Sequence, residues 1–242
     1  MEMGFAKRYS RLIRFVLYCF AGAVVGVTWS QYLRAHNQGT TSHTWREFVL
    51  KQTHAGFPPG ILISLVLLCL FSLYWEAAAK NSSEAKSREP SWSRAIHVTL
   101  VSVGQFLMLL PVPGLRQRFI PDHGAIVAVG VLLEFSFLAF AIWARQLLGR
   151  NWSGAVTTKV DHELIRSGPY QFVRHPIYSG MLGAYASLAL VSGEVHALVG
   201  FILTCLAYWR KIRQEEEVLG ALFGPAYGEY KADVSAVIPG LL

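Results

Sequence analysis

Long apolar segments are the feature that most constrains how this chain folds. Four of them approach or exceed the ~20 residues that an α-helix needs to cross about 30 Å of hydrocarbon. They lie at about Leu12–Leu33, Pro59–Ala79, Ala95–Leu115 and Ala125–Leu148. The chain is also 53% hydrophobic and only 15% charged, which is poor in charge for a soluble domain. The sequence therefore predicts an all-α integral membrane protein with about four full transmembrane helices.

Two shorter apolar segments follow, Ile177–Val191 and Val195–Trp209. At about 15 residues, each would make roughly 22 Å of helix, which is too short to cross comfortably. The turn-forming residues Ser192–Glu194 separate them. We therefore expect a short C-terminal helical hairpin that enters the membrane and returns on the same side. Beyond Trp209 the sequence becomes charged, so the second arm should continue as a helix out of the membrane.

The basic residues are divided unevenly between the two sides that these spans create. With the N-terminus placed in the cytoplasm, 17 of the 22 Lys and Arg residues fall on the cytoplasmic side. The other five are Arg34, Arg46, Lys51, Arg116 and Arg118. This positive-inside pattern predicts cytoplasmic termini and a cytoplasmic hairpin mouth. It also accounts for the net charge of +7 without a nucleic-acid partner.

The domain organisation is predicted to be one membrane domain, residues 1–242. Residues 1–120 hold the N-terminal spans, and residues 121–242 form a core with a polar loop at 149–180 and a tail at 210–242. Within the polar connector before the third span, Glu89-Pro90-Ser91 predicts the start of a helix.

The densest polar chemistry lies in GPYQFVRHPIYSG, Gly168–Gly180, directly before the hairpin. Because a tight turn brings the outer ends of two similar helices together, the hairpin should join two polar groups at its mouth. These groups are Arg174, His175 and Tyr178 on the first arm and Lys211, Glu215 and Glu216 on the second. Pro176 suits the first helical position, and the N–H groups of the helix that begins there suit a bound carboxylate.

Several chemistries lack their residues in this chain. G-x-S-x-G, H-E-x-x-H and C-x-x-C do not occur, which argues against hydrolase, zinc protease and thiol redox activity. No G-x-G-x-x-G follows a strand. No metal site is predicted, because His162, His175 and the glutamates show no ligand spacing on one helix face.

Three motifs in the same order and spacing resemble the isoprenylcysteine carboxyl methyltransferase family of membrane methyltransferases, a group related to the phospholipid N-methyltransferases. The motifs are LGRNWS, HELIRSGPYQFVRHPIYSG and QEEEVLGALFGPAYGEYKADVSAVIPG. The resemblance covers roughly Leu147–Gly240. It implies methyl transfer from S-adenosylmethionine, held on the cytoplasmic side, to a lipophilic or lipidated substrate that enters from the bilayer.

The resemblance also implies roles for particular residues. Those matched to cofactor binding are His162, Glu163, Leu164, Ile165, Tyr170, His175, Pro176, Ile177, Tyr178, Glu215 and Glu216. The predicted catalytic residues are Lys211 and Arg174, with an interface anchor as the alternative for Arg174. Lys211 occupies the position of an arginine that binds the substrate carboxylate in relatives acting on prenylcysteine. Lysine keeps the charge but lacks the bidentate fork, so the acceptor stays open.

The acceptor classes left open are a carboxylate of an isoprenylcysteine-like or lipid-like molecule, a phospholipid amine and a small hydrophobic thiol. A non-enzymatic transporter or scaffold is the alternative of a different class. Glu134 bears on it, because transporters place ionisable residues at mid-membrane. We expect Glu134 either to pair with a polar group on a neighbouring helix or to line a lipid-facing tunnel.

Overall fold

A computed structural model of the chain describes residues 58–79, 85–110, 112, 114–149, 152, 157–159 and 163–240. The chain divides into two compact units, Met1–Pro59 and Gly60–Leu242, and the second contains almost all described residues. The predicted span Leu12–Leu33 and the predicted cofactor residue His162 lie outside the described residues.

Helices dominate the described part of the chain. In chain order the elements are α1 (Pro59–Ala79), β1 (Ala85–Arg88), α2 (Ser91–Leu109), α3 (Gly124–Leu148), β2 (Thr157–Lys159), a short 3-10 helix (Gly168–Gln171), α4 (Pro176–Ser192), α5 (Val195–Phe223) and α6 (Pro225–Asp233). The two strands pair antiparallel, with Ala85 opposite Lys159. The all-α prediction missed this ribbon, because neither polar segment shows the alternating apolar pattern that predicts a strand.

Three of the described helices, α1, α3 and α5, are long and apolar enough to cross a membrane. The first two confirm predicted spans. The predicted span Ala95–Leu115 is instead a 19-residue helix, Ser91–Leu109, and it is not among these three. It ends early because Leu110 adopts an extended conformation before Pro111, as residues preceding proline tend to do.

The C-terminal hairpin reaches farther than the sequence predicts. Its second arm, α5, runs for 29 residues and continues beyond Trp209 as a helix, as predicted. Its turn meets the segment that follows α2, where the N–H of Phe119 donates to the Gly193 carbonyl at 2.9 Å and the N–H of His196 to the Leu115 carbonyl at 3.0 Å. Gly193 has a φ of 64°, which favours glycine. The hairpin therefore extends alongside α2 to its far end. Its second arm is long and apolar enough to cross a membrane, so the expectation that this arm is too short was wrong, whereas the first arm has only 17 residues.

Close glycine contacts organise the bundle into two antiparallel pairs, α3 with α4 and α2 with α5. A Cβ atom added at Gly180 of α4 would lie 2.7 Å from the Cβ of Ala141 in α3. One added at Gly104 of α2 would lie 2.8 Å from the carbonyl oxygen of Gly200 in α5. Both positions are too tight for any side chain, so the backbones in each pair are in direct contact.

Tyrosine rings fill the space between the two pairs. Tyr178 and Tyr185 project from α4 toward Tyr208 of α5, with ring centres 5.2 and 6.5 Å from that of Tyr208. We call these three residues the aromatic seam. At its deep end the amide of Gln105 in α2 donates to the Tyr185 hydroxyl at 2.6 Å. Polar side chains thus line the interior of the bundle for several turns below the hairpin mouth.

Two polar contacts fasten α1 to α3. The Ser64 hydroxyl donates to a carboxyl oxygen of Glu134 at 2.5 Å, and Glu134 is fully buried. This confirms the expected pairing of Glu134 with a neighbouring helix. Near the helix ends, Arg145 of α3 donates to the carbonyls of Ala78 and Gly149, each at 2.8 Å. One guanidinium therefore caps the carboxyl ends of both helices.

Candidate active site

The mouth of the hairpin collects the charged side chains that the sequence singles out. Pro176 opens α4 as predicted, with Arg174 and His175 directly before it. On α5, Lys211 and Glu215 are four residues apart and share one face. The part of α5 beyond Trp209 carries six charged residues in the eight from Arg210 to Glu217, and we treat it as lying outside the membrane-spanning segment.

Glu216 is surrounded by three cationic side chains. Arg174 donates from Nη2 at 2.6 Å and from Nε at 2.9 Å, both to Oε1. Lys231 of α6 donates to Oε2 at 2.6 Å, and the Nε2 of His175 lies 3.4 Å from Oε1. Burial alone would raise the pKa of Glu216, but the hydrogen bonds from His175, Lys231 and Arg174 outweigh it and hold the pKa well below its ordinary value. Glu216 is therefore ionised, with both oxygens occupied.

Glu215 has fewer polar partners than Glu216. The Tyr178 hydroxyl donates to its Oε1 at 2.6 Å, and the Nδ1 of His175 lies 3.6 Å from its Oε2. Burial would raise the pKa of Glu215, yet the hydrogen bond from His175 and the charge of Lys211 lower it on balance. This carboxylate is also ionised, and its oxygens have fewer hydrogen-bond and ion-pair partners than those of Glu216.

His175 bridges the two carboxylates and stacks on Tyr178, with ring centres 5.7 Å apart. Burial would lower the pKa of His175, but hydrogen bonds to Glu215 and Glu216 outweigh it and raise the pKa. The imidazolium form of His175 is therefore favoured, and with it the predicted convergence of the two arms is confirmed.

Raising the pH should weaken the folded state through His175. Because its pKa in the folded state lies above the ordinary histidine value of about 6.5, the imidazolium contacts contribute fully below that pH and are lost as the pH rises through the raised pKa. Between pH 6 and 9, we expect the apparent Tm in detergent to fall by a few degrees more for the wild type than for His175→Gln. The control, His123→Gln, changes an exposed histidine and should keep the wild-type profile. Parallel profiles for the wild type and His175→Gln would contradict this assignment.

Lys211 lies inside the mouth, only 8% exposed, with its Nζ 5.9 Å from the centre of the Tyr178 ring. The neighbouring arginines are directed elsewhere. Arg210 donates to the carbonyl of Ser93 at 3.2 Å and to its hydroxyl at 2.9 Å, and Arg213 lies 4.8 Å from the ring centre of Trp209. Lys211 is thus the basic residue of this trio that faces the cluster.

The loop before α4 and the start of α4 place a second set of predicted residues against α3. Tyr170 and Ile177 pack with Ala144 of α3, and Ile165 packs against them. The Tyr170 hydroxyl donates to the Ala144 carbonyl at 3.3 Å. Glu163 is exposed and Leu164 half-buried. Of the predicted cofactor strip, the structure therefore places Ile165 in this cluster and Glu163 on the surface.

Some residues that contribute to the site were not predicted from the sequence. Lys231 reaches Glu216 from α6, and Tyr208 carries the aromatic seam up to Tyr178. Arg145 lies 4.3 Å from the ring centre of Trp152, in a cation–π contact. The periodicity of α5 places Tyr208 three residues before Lys211, which was an available signal. The pairing of Lys231 depends on a chain reversal after Phe223 that the sequence pattern does not specify.

Comparison with known proteins shows what this chain is similar to. Residues 129–221 match the sequence model of the isoprenylcysteine carboxyl methyltransferase (ICMT) family. A protein-S-isoprenylcysteine O-methyltransferase from Dictyostelium discoideum is 25% identical over 205 residues, covering 80% of this chain and 81% of that protein. The resemblance to the ICMT family is confirmed. The Saccharomyces cerevisiae protein of the same name is 34% identical over 99 residues, or 40% of this chain and 41% of that protein.

The fold agrees with the resemblance to the ICMT family. A solved structure of the eukaryotic intramembrane Ras methyltransferase ICMT aligns with 95% of this chain and 93% of its own, with a TM-score of 0.51 and 16% sequence identity. At that identity the likeness is one of fold. The ICMT family match, the relatives named as methyltransferases and the apolar helices together indicate an integral membrane methyltransferase.

Proposed function

We propose that this chain transfers a methyl group from S-adenosylmethionine to the carboxylate of a lipophilic acceptor of the isoprenylcysteine kind. The observation that carries the proposal is the buried charge cluster at the hairpin mouth, where ionised Glu215, His175 and Lys211 meet the ring of Tyr178. The names of the ICMT relatives support the acceptor class.

The residues at the mouth fit S-adenosylmethionine as a donor. That molecule carries an ammonium, a carboxylate and a sulfonium, and it would supply a methyl group already activated for transfer. The ionised Glu215 suits the ammonium, because its oxygens are less occupied than those of Glu216. The first turn of α4, which Pro176 opens, presents the N–H groups of Ile177 and Tyr178, and these suit the carboxylate. The faces of Tyr170 and Tyr178 suit a cation or an aromatic base.

We assign Arg174 a positioning role instead of direct contact with substrate. All three of its guanidinium nitrogens are occupied by protein groups, namely Glu216 and the carbonyls of Lys231 and Val234. A guanidinium held in this way orients Glu216 and, through it, His175. Lys211 is left as the basic residue proposed to meet the acceptor.

The charge balance of the cluster favours an anionic acceptor. With His175 neutral, its ionised groups are three cations and two carboxylates, which leaves one positive charge in excess, and the imidazolium adds another. These groups are Arg174, Lys211, Lys231, Glu215 and Glu216. Burial lowers the pKa of Lys211 on balance, while the charges of Glu215 and Glu89 favour its ammonium form and that of Arg94 opposes it. A carboxylate acceptor is attracted by this excess and needs no general base, whereas a protonated amine is repelled.

We also propose that the hairpin mouth and both termini are cytoplasmic. The positive-inside distribution supports this orientation, because the basic residues of Arg210–Arg213 lie at the same end of the bundle as the start of α2. In that orientation the donor reaches the mouth from water and the acceptor reaches it from the bilayer.

Methyl transfer can be tested on the full-length protein in lipid nanodiscs. Tritiated S-adenosylmethionine and N-acetyl-S-farnesylcysteine should yield label in the organic phase that mild base releases as volatile methanol, the signature of a methyl ester. The matched control acceptor is the carboxamide of the same compound, which should take no label. Base-stable label would point to an amine or thiol acceptor. Donor binding without transfer to this acceptor or to a lipid extract would favour a scaffold.

A further inference from the structure

We propose that the C-terminal strap, Lys231–Val237, positions His175 and Glu216 for donor binding, with Lys231 as a positioning residue. The inference rests on the proposed function. It concerns a segment outside residues 129–221, the part of the chain that matches the ICMT family. The strap is the last part of α6 and the extended residues that follow it.

The backbone of the strap fixes the approach to α4. The N–H of Arg174 donates to the Ser235 carbonyl at 2.8 Å, and the N–H of His175 donates to the Ala236 carbonyl at 2.9 Å. Val173 and Ser235 form a parallel bridge. His175 precedes α4 with φ −122° and ψ 59°. The helix holds its carbonyl, which accepts from the Ser179 N–H at 3.0 Å, while the strap holds its N–H. The strap therefore supplies the two acceptors that these buried donors require.

Side chains fasten the strap at both of its ends. At the far end the Ser179 hydroxyl of α4 donates to the Val237 carbonyl at 2.6 Å. At the near end the Lys231 ammonium donates to Oε2 of Glu216 at 2.6 Å. Because Lys231 holds Oε2, the other oxygen of Glu216 stays directed at His175 and Arg174. Lys231 of the strap thus helps to fix the rotamer of Glu216.

Loss of Lys231 should alter donor binding and its pH dependence together. The charged groups around His175 are Glu215 and Glu216 on α5, Arg174 beside it, Lys231 on the strap and Lys211 on α5. Removing the ammonium takes one cation away from Glu216, so the imidazolium gains a stronger partner and deprotonates at higher pH. A strap that served only to stabilise the fold would lower Tm and leave this profile in place.

The test uses full-length protein and isothermal titration with S-adenosylhomocysteine from pH 6 to 9. In the wild type, affinity should fall as the pH rises and His175 loses its proton. We expect Lys231→Met to weaken binding about fivefold, since the lysine is half exposed, and to shift this fall to higher pH. Lys231→Arg should restore both. Ser179→Ala, at the other end, should weaken binding without moving the pH profile. The control Glu229→Gln removes an exposed charge from the same helix and should match the wild type.

The outcomes separate the two proposals. If the wild type itself fails to bind S-adenosylhomocysteine, the proposed function is overturned. If the wild type binds and Lys231→Met keeps its affinity and pH profile while losing thermal stability, the strap is structural and this inference is overturned. Failure of Lys231→Arg to restore binding in a variant with wild-type Tm would also overturn it.

Discussion

Glu215→Gln should weaken S-adenosylhomocysteine binding by about 100-fold, the cost expected when a buried charge loses its partner. The amide keeps the shape of the side chain and can still accept from the Tyr178 hydroxyl. What it loses is the negative charge proposed to hold the donor ammonium. Titration calorimetry on the full-length protein in detergent measures the effect.

Glu217→Gln is the matched control for this substitution. Glu217 lies two positions along the same helix, in the same run of three glutamates, but its side chain is exposed. Its neutralisation should leave the dissociation constant within about twofold of the wild type. Equal losses in the two variants would mean that the net charge of the run matters and would remove the specific role given to Glu215.

Arg174→Met should lower the free energy of unfolding by about 3–5 kcal/mol, because it leaves the buried Glu216 carboxylate without the guanidinium that donates twice to its Oε1. The Arg174 and Glu216 side chains are only 6% and 9% exposed. The substitution also removes the donor to the Lys231 and Val234 carbonyls, so the strap loses an attachment. On the order of 10 °C should be lost from the apparent Tm of a chain of this size.

Two further variants make the Arg174 measurement specific. Arg174→Lys keeps the charge without the planar fork, and we expect about half of the loss. Arg213→Met removes an exposed guanidinium that rests on Trp209, and it should cost less than about 1 kcal/mol. If Arg174→Met is as stable as Arg213→Met, the contacts of Arg174 carry no net stability.

The sequence was sufficient for the parts of the fold that depend on local pattern. Apolar length located α1 and α3, and Pro90 and Pro176 marked the starts of α2 and α4. The convergence at the mouth also followed, because a tight turn at Gly193 leaves two antiparallel helices little choice of register.

The missed features depend on contacts between distant residues. The depth of the hairpin is set by hydrogen bonds from its turn to the segment at Leu115–Ile120, which hydropathy does not encode. The contact between Lys231 and Glu216 requires α6 to reverse direction after Gly224, whose φ is 53°.

Because the helices pair through close glycine contacts, motion between the two pairs should be easier than motion within a pair. Within α3–α4 and α2–α5 the backbones touch, so neither pair can be compressed, and sliding within a pair would require the glycine contacts to break. Below the charged cluster at the hairpin mouth, the tyrosine rings of the aromatic seam occupy the space between the pairs, and rings can rotate without disturbing a helix. The bundle should therefore be most flexible along the aromatic seam. A bulky substrate that enters laterally from the bilayer would therefore separate the two helix pairs along the aromatic seam and leave the packing within each pair intact.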